Sequence, residues 1–209
     1  MGDAELTMSK HPRGEATRKA ILAAAEQVFA DVGYEAARME DVAQVVGIRR
    51  PSIVYHFPSK QDLYDAVESD LFEKMHAASR LALKQAQGPL ERLLALLDAW
   101  LDYIVQRPTA ARILQRLVAD VTPRHGNPVR FSELALSDMD AVIEEGVRAG
   151  CFRPINTMLV INGVSAATLF YVCNGRQLGD ARAYSPSDPD MLREFRALLH
   201  RTCCAAVLA

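Results

Sequence analysis

The segment from Ala16 to Lys60 constrains the fold more than any other part of the chain, because one amphipathic helix is followed by two very short helices joined at Gly47. Ile21, Leu22, Ala25, Val28, Phe29 and Val32 recur at helical spacing on one face, while Arg18, Lys19, Glu26 and Asp31 fall mostly elsewhere. Gly33 is the expected end of that first helix, since glycine readily takes the left-handed conformation just beyond a helix. In the second helix Glu40 and Asp41 occupy the first turn, where negative charge suits the dipole, and Val42, Ala43 and Val46 turn inward. Residues 48–50 form the turn, Pro51 falls in the next first turn, where a missing N–H does little harm, and Ile53 to Phe57 complete barely two turns.

A helix of that length is unstable alone and must rest on its neighbours, which leaves its outward side chains available to a partner. A helix that reads DNA needs long donors near its N-terminus, and Arg49, Arg50 and Ser52 lie there, with Tyr55, His56 and Lys60 following. Arg49 and Arg50 are therefore the expected base readers, and Tyr55 and Lys60, at the exit of the helix, the expected phosphate anchors. His56 is expected to be a packed, hydrogen-bonded support.

The pairs Gly33-Tyr34 and Gly47-Ile48, the triplet Asp41-Val42-Ala43 and the close Tyr55-His56-Phe57-Pro58-Ser59-Lys60 resemble the N-terminal domain of the TetR family of bacterial transcriptional regulators. Three positions depart from the family pattern. Arg38 stands where a Thr or Ser commonly caps the second helix, Arg49 where one caps the third, and Val54 replaces a common Tyr. Losing a capping oxygen costs about 1 kcal/mol at each of the first two positions. The charge gained makes Arg38 as well as Arg49 a candidate DNA contact. The resemblance implies a homodimeric, ligand-responsive regulator, most often a repressor. It implies a third helix lying in the major groove of a palindromic double-stranded operator, and neither enzymatic activity nor a cofactor.

With 209 residues, half of them hydrophobic, and no lasting strand-like alternation, the chain is expected to be all-α. A DNA-binding head over residues 1–60, ordered from about residue 14, precedes a helical body over 61–209 that binds ligand and dimerises. Net charge is only -2, and the first sixty residues balance eight Lys or Arg against eight Asp or Glu, so any nucleic-acid surface is a local basic edge. Cys151, Cys173, Cys203 and Cys204 have no metal-ligand spacing and read as reduced thiols of a cytoplasmic protein. The apolar run from Met158 to Cys173, interrupted by Asn162, Ser165 and Thr168, is expected to be too short for a membrane span.

Within the body, Ser59 opens a fourth helix running to about Gln87, Gly88-Pro89 breaks it, and Arg107-Pro108 ends a fifth. A sixth leads to a loop from Thr122 to Pro128, a seventh stops at Gly150, and an eighth runs from Thr157 to Cys173. A loop from Asn174 to Asp188 precedes a ninth opened by Pro189. Helix eight is apolar nearly all round, and a second copy is its natural cover, with Ala166, Ala167, Phe170, Phe195 and Leu199 as interface residues. An effector pocket is expected among helices five, seven and eight, walled by Trp100, Tyr103, Phe131 and Phe170 with Asn162 as polar handle. Arg112 and Arg116 are available to an acidic ligand. The Glu73-x-x-His76 spacing is a coincidence, because a bundle metal site needs a second such pair. The rival readings are a DNA-binding protein of the same fold without an effector and a helical enzyme or carrier whose head no longer binds DNA.

Overall fold

A computed structural model describes residues 12–119, 129–182 and 184–208. The expected loop from Thr122 to Pro128 lies outside the described residues. Among them the chain forms nine α-helices and no strand, apart from one isolated bridge between Phe152 and Leu208. The helices are α1 (Pro12–Ala36), α2 (Met39–Val46), α3 (Arg50–His56), α4 (Lys60–Gln85), α5 (Gly88–Gln106), α6 (Pro108–Ala119), α7 (Val129–Arg148), α8 (Thr157–Arg182) and α9 (Pro189–Val207).

Two compact units divide at Val67, beyond the boundary expected at Lys60. The reason lies in the first turns of α4, where Leu63, Tyr64 and Val67 are buried and the Tyr64 ring meets Phe29 and Tyr34 edge to face. The first unit is built around Ile21, Ala25, Phe29, Val42, Ile53 and Leu63, all essentially inaccessible. Val32 is half-exposed instead of buried, although Phe29, Ala30 and Gly33 beside it are buried. At Gly33 a φ of 81° breaks the helical path, although helical hydrogen bonding resumes briefly to Ala36. Gly47, at φ 76° and ψ 30°, closes α2 by donating to the Ala43 carbonyl at 2.9 Å. Ser59 and Asp62 form a reciprocal cap at the start of α4. The Asp62 N–H donates to Ser59 Oγ at 3.1 Å and the Ser59 N–H to Asp62 Oδ2 at 3.0 Å.

In the second unit α5 is the central element, packed against α6, α7, α8 and α9. Leu93, Leu97, Leu101 and Ile104 mark its fully buried stripe. Arg196 of α9 donates to Asp98 at 2.7 Å and also to Asp102, and His200 lies 2.8 Å from Asp98, which fixes α9 along α5. Asp188 caps α9, accepting from the Asp190 and Met191 N–H groups.

Helix α8 corrects the sequence reading most. It continues to Arg182, through the stretch expected to be a loop from Asn174. Gly175 is not a turn residue: a Cβ there would come within 2.7 Å of the Pro186 ring, so the glycine admits close packing inside a helix. The stretch Thr157–Leu178 is consequently long and apolar enough to cross a membrane, contrary to the expectation drawn from Met158–Cys173. One face of it is nevertheless core, with Val160, Thr168, Leu169 and Val172 buried against α5, α6, α7 and α9.

Candidate nucleic-acid interface

Helix α3 is held by two side chains and offers the rest. Ile53 and Phe57 are buried, and the Arg18 guanidinium lies 4.9 Å from the centre of the Phe57 ring, which ties α3 to α1. Arg50, Pro51, Ser52, Val54 and Tyr55 are all exposed, Tyr55 to 84%. A tyrosine so accessible adds little to the protein's own packing beyond its ring contact with His56. His56 is half-buried with its ring edge-on to Tyr55 at 5.1 Å, but among the described residues it takes none of the hydrogen bonds expected of it.

The two arginines at cap positions behave as the departures from the family pattern imply. Arg38 precedes α2 with an extended backbone, and its N–H donates to Asp41 Oδ2 at 3.0 Å. A guanidinium has no acceptor to return, so only half of a capping box forms and the side chain is left exposed. Arg49 likewise caps α3 without a side-chain bond. Arg50 is engaged: its Nε lies 3.0 Å from Glu40 Oε1, with both side chains about 60% exposed. Sequence reading missed Glu40 as the partner, because the fold and not the spacing sets the pair.

Lys60 requires a different role from the one expected. Its ammonium donates to the carbonyls of Tyr34, Glu35 and Ala37 at 2.9, 3.2 and 3.3 Å and lies 4.4 Å from the centre of the Tyr34 ring. Those carbonyls belong to the end of α1, where a cation is favoured and the helical ladder leaves acceptors free. An ammonium has three protons, and this lysine directs them inward.

The body holds a cavity of about 450 Å³, lined from α4, α5, α6, α7 and α8. Of the residues read as a ligand wall, Trp100 and Asn162 line it. Tyr103 does not: its hydroxyl donates to the Leu71 carbonyl at 2.8 Å and accepts from Arg107 at 2.9 Å, a bracing role outside the cavity. Phe170 points away and is 60% exposed, and the Phe131 side chain lies outside the described residues. Arg112 and Arg116 flank the inward-facing Leu114 and Leu117 of α6 and do not line the cavity. The wall that sequence reading missed is α4, which supplies Glu68, Phe72, Met75 and Ser79. Their spacing, four then three then four residues, is the signal that was legible. Beside this wall Asp138 of α7 accepts from Arg80 at 3.0 Å and lies 3.5 Å from His76, while Glu73 turns outward to Ser69.

Of the residues expected at a dimer interface, Ala166 and Phe170 are exposed and Ala167 partly so. Phe195 stacks on Tyr171 of its own chain at 3.9 Å, and Leu199 is only 5% exposed because it is taken into the protomer core.

Two helices meeting at a left-handed glycine, the second resting on two buried side chains with its donors outward, define a helix-turn-helix DNA-binding regulator. Residues 21–67 match the family described as "Bacterial regulatory proteins, tetR family", and residues 89–203 match "Tetracyclin repressor-like, C-terminal domain". The chain belongs to the TetR family. It is 29% identical over 174 residues to the transcriptional regulator RutR of Escherichia coli K12, covering 79% of this chain and 78% of that protein. It is 30% identical over 170 residues to the transcriptional activator FasR of Mycolicibacterium smegmatis, covering 80% and 77%. The structure of the ketosteroid transcriptional regulator KstR2 of Mycobacterium tuberculosis shares the fold at a TM-score of 0.70 and 23% identity, over 98% of this chain and all of that one.

Proposed function

We propose that the protein is a homodimeric, ligand-responsive repressor acting in the cytoplasm on a palindromic operator. The observation that carries this reading is the outward face of α3: Arg49, Arg50, Ser52 and Tyr55 project from a helix whose only buried anchors are Ile53 and Phe57. Arg49 and Arg50 read base edges, Arg38 and Tyr55 hold phosphates, and Ser52 supplies a short donor near the groove floor. Lys60 is reassigned to holding the end of α1, since its three donors are already directed to carbonyls. Half-buried His56 supports Tyr55.

Dimerisation is supported by α8. Leu159, Gly163, Ala166 and Phe170 recur at intervals of four, three and four residues on its open side, and a Cβ at Gly163 would meet nothing within 4 Å. Leu198 of α9 is half-exposed as well. Such a stripe of small and large apolar side chains is suited to the same stripe on a second copy, packed as a four-helix bundle. A ligand in the cavity would bear on five helices at once, including α4, and would shift the operator-binding population by its preference for one arrangement. FasR is named an activator, and the sign of regulation proposed here follows the commoner behaviour implied by the family resemblance.

Selection of bound fragments from random DNA tests the reading: a two-fold symmetric consensus is expected, with loss of recovery when Arg49 and Arg50 are both replaced by Ala. Recovery of random sequence alone would sink the operator claim. Release of the selected DNA by small molecules then separates a ligand-responsive regulator from one without an effector.

A further inference from the structure

We infer that the cavity selects an uncharged lipophilic ligand that carries a hydrogen-bond acceptor, such as a ketone, and that the acceptor is received by the indole N–H of Trp100. The inference rests on the ligand-responsive reading above and deepens it. Trp100 lines the cavity, and its Nε1 is buried with no acceptor among the described residues. A buried donor left unpaired is rare in folded proteins and is satisfied by any ligand that brings an acceptor to it. The surrounding wall, from Phe72 and Met75 of α4 to Leu114 of α6 and Leu169 of α8, is mainly apolar, with Ser79, Asn162 and Ser165 as its neutral polar members.

Charge narrows the class further. Among the described residues that line the cavity the only formal charges are the acids Glu68 and Asp138, and no Lys or Arg is present. Lys74, Arg80, Arg112 and Arg116 flank lining residues of α4 and α6 in sequence and do not themselves line the cavity. A carboxylate ligand would lose its hydration beside Glu68 and, among the described lining residues, meet no Lys or Arg in return. A cationic ligand finds less attraction than two acids imply, because Asp138 is already bonded to Arg80 at 3.0 Å. The cavity volume of about 450 Å³ suits a compact ligand of a few fused rings or a folded chain.

Trp100 is the only tryptophan in the chain, so its fluorescence reports the site directly. The full-length protein is titrated with adamantyl methyl ketone, ethyladamantane, adamantane carboxylate and adamantylamine, and the series is repeated on a decyl chain. Binding is followed by indole emission and by thermal shift. The ketone is expected to bind tightest on at least one skeleton, with the hydrocarbon about tenfold weaker and the carboxylate at least a hundredfold weaker. In Trp100→Phe, followed by thermal shift alone, the ketone should fall to the hydrocarbon's affinity while the hydrocarbon is little changed. The inference is overturned if a carboxylate or amine binds as well as the ketone, if Trp100→Phe leaves the ketone's advantage intact, or if no member of the series binds. If Trp100→Phe fails to fold, Trp100→Tyr is used; the ketone's advantage should shrink there, since the hydroxyl does not stand where the indole N–H does, and an undiminished advantage overturns the role of the N–H. Operator release by a wider library judges the regulator reading separately: release by other compounds leaves that reading standing while this ligand class falls.

Discussion

The Lys60 ammonium lies 4.4 Å from the centre of the Tyr34 ring and donates to the Tyr34 carbonyl at 2.9 Å, so one side chain grips both the ring and the backbone of the residue after Gly33. This joins the start of α4 to the end of α1 across 26 residues of sequence. Between them lie α2 and α3, whose outward face is the proposed operator surface.

Lys60→Ala should therefore destabilise the head by about 1 to 3 kcal/mol, the range for hydrogen bonds made by a charged donor. The dependence of operator binding on salt should not change. Denaturant unfolding and a salt titration of binding check this together. A salt slope reduced by about one, with stability unchanged, would return Lys60 to the phosphate backbone.

Arg50 presents a competition between a protein carboxylate and a base edge. Replacing it with Ala should relax preference at one position of each half-site by about 1 to 3 kcal/mol. Glu40→Gln should strengthen binding to all sequences, because a negative charge is removed beside the DNA and Arg50 is released. The pair is too exposed to matter to folding, so thermal stability should stay within about 0.5 kcal/mol of wild type. Selection experiments on both variants decide the matter; unchanged consensus and affinity in both would remove Arg50 from the interface.

The head was legible because its grammar is local: glycines, a proline and short apolar intervals fixed α1 to α3 to within a few residues, and Ser59 with Asp62 announced α4. What was not legible depends on contacts distant in sequence. Lys60 has the composition of a phosphate ligand, and only the folded chain brings the Tyr34, Glu35 and Ala37 carbonyls to it. Gly175 has the composition of a turn, and only the approach of Pro186 explains a glycine inside a helix. The aromatic residues chosen for the ligand wall were read as one group, yet Tyr103 braces α4 through the Leu71 carbonyl and Phe170 faces outward. Periodicity gives the faces of each helix without saying which neighbour meets them.

Phe170 and Leu199 should separate the dimer from the fold. Phe170→Glu places a charge on a side chain already 60% exposed in the protomer, so folding should be retained while sedimentation shifts to monomer at low concentration. Leu199→Ala should instead cost about 2 to 5 kcal/mol of protomer stability, since that side chain lies in its own core. A Phe170→Glu protein that remains dimeric places the interface on another surface.

Gly146 offers a test of the body's packing that involves no ligand. A Cβ there would fall 2.0 Å from the Phe152 ring, and the Phe152 N–H also donates to the Gly146 carbonyl at 3.1 Å. The ring cannot withdraw without losing its place in the buried cluster with Val142, Ile143 and Val207. Gly146→Ala should destabilise by about 1 to 3 kcal/mol, and the double variant with Phe152→Leu should recover part of that loss. Additive losses measured by denaturant unfolding would show that the two positions are not coupled.

Cys203 is the cysteine whose chemistry the fold suppresses most clearly. Burial, and then the neighbouring Cys204, push its thiol up to about 11. Because the thiolate is the reactive form, native Cys203 should resist alkylation at pH 8 and become reactive only when the chain unfolds. The sign for stability follows from the same shift. A folded-state value above the unfolded one means that the stabilising contribution is complete below the ordinary thiol range and is lost as pH rises from there through about 11. Cys203→Ser should therefore flatten the fall in stability across that alkaline window, whatever it does to stability at neutral pH. Mass-resolved alkylation of the native protein, with urea-unfolded protein as the reference, checks the first part. Rapid labelling of Cys203 in the folded chain would show that its thiol is neither sheltered nor raised.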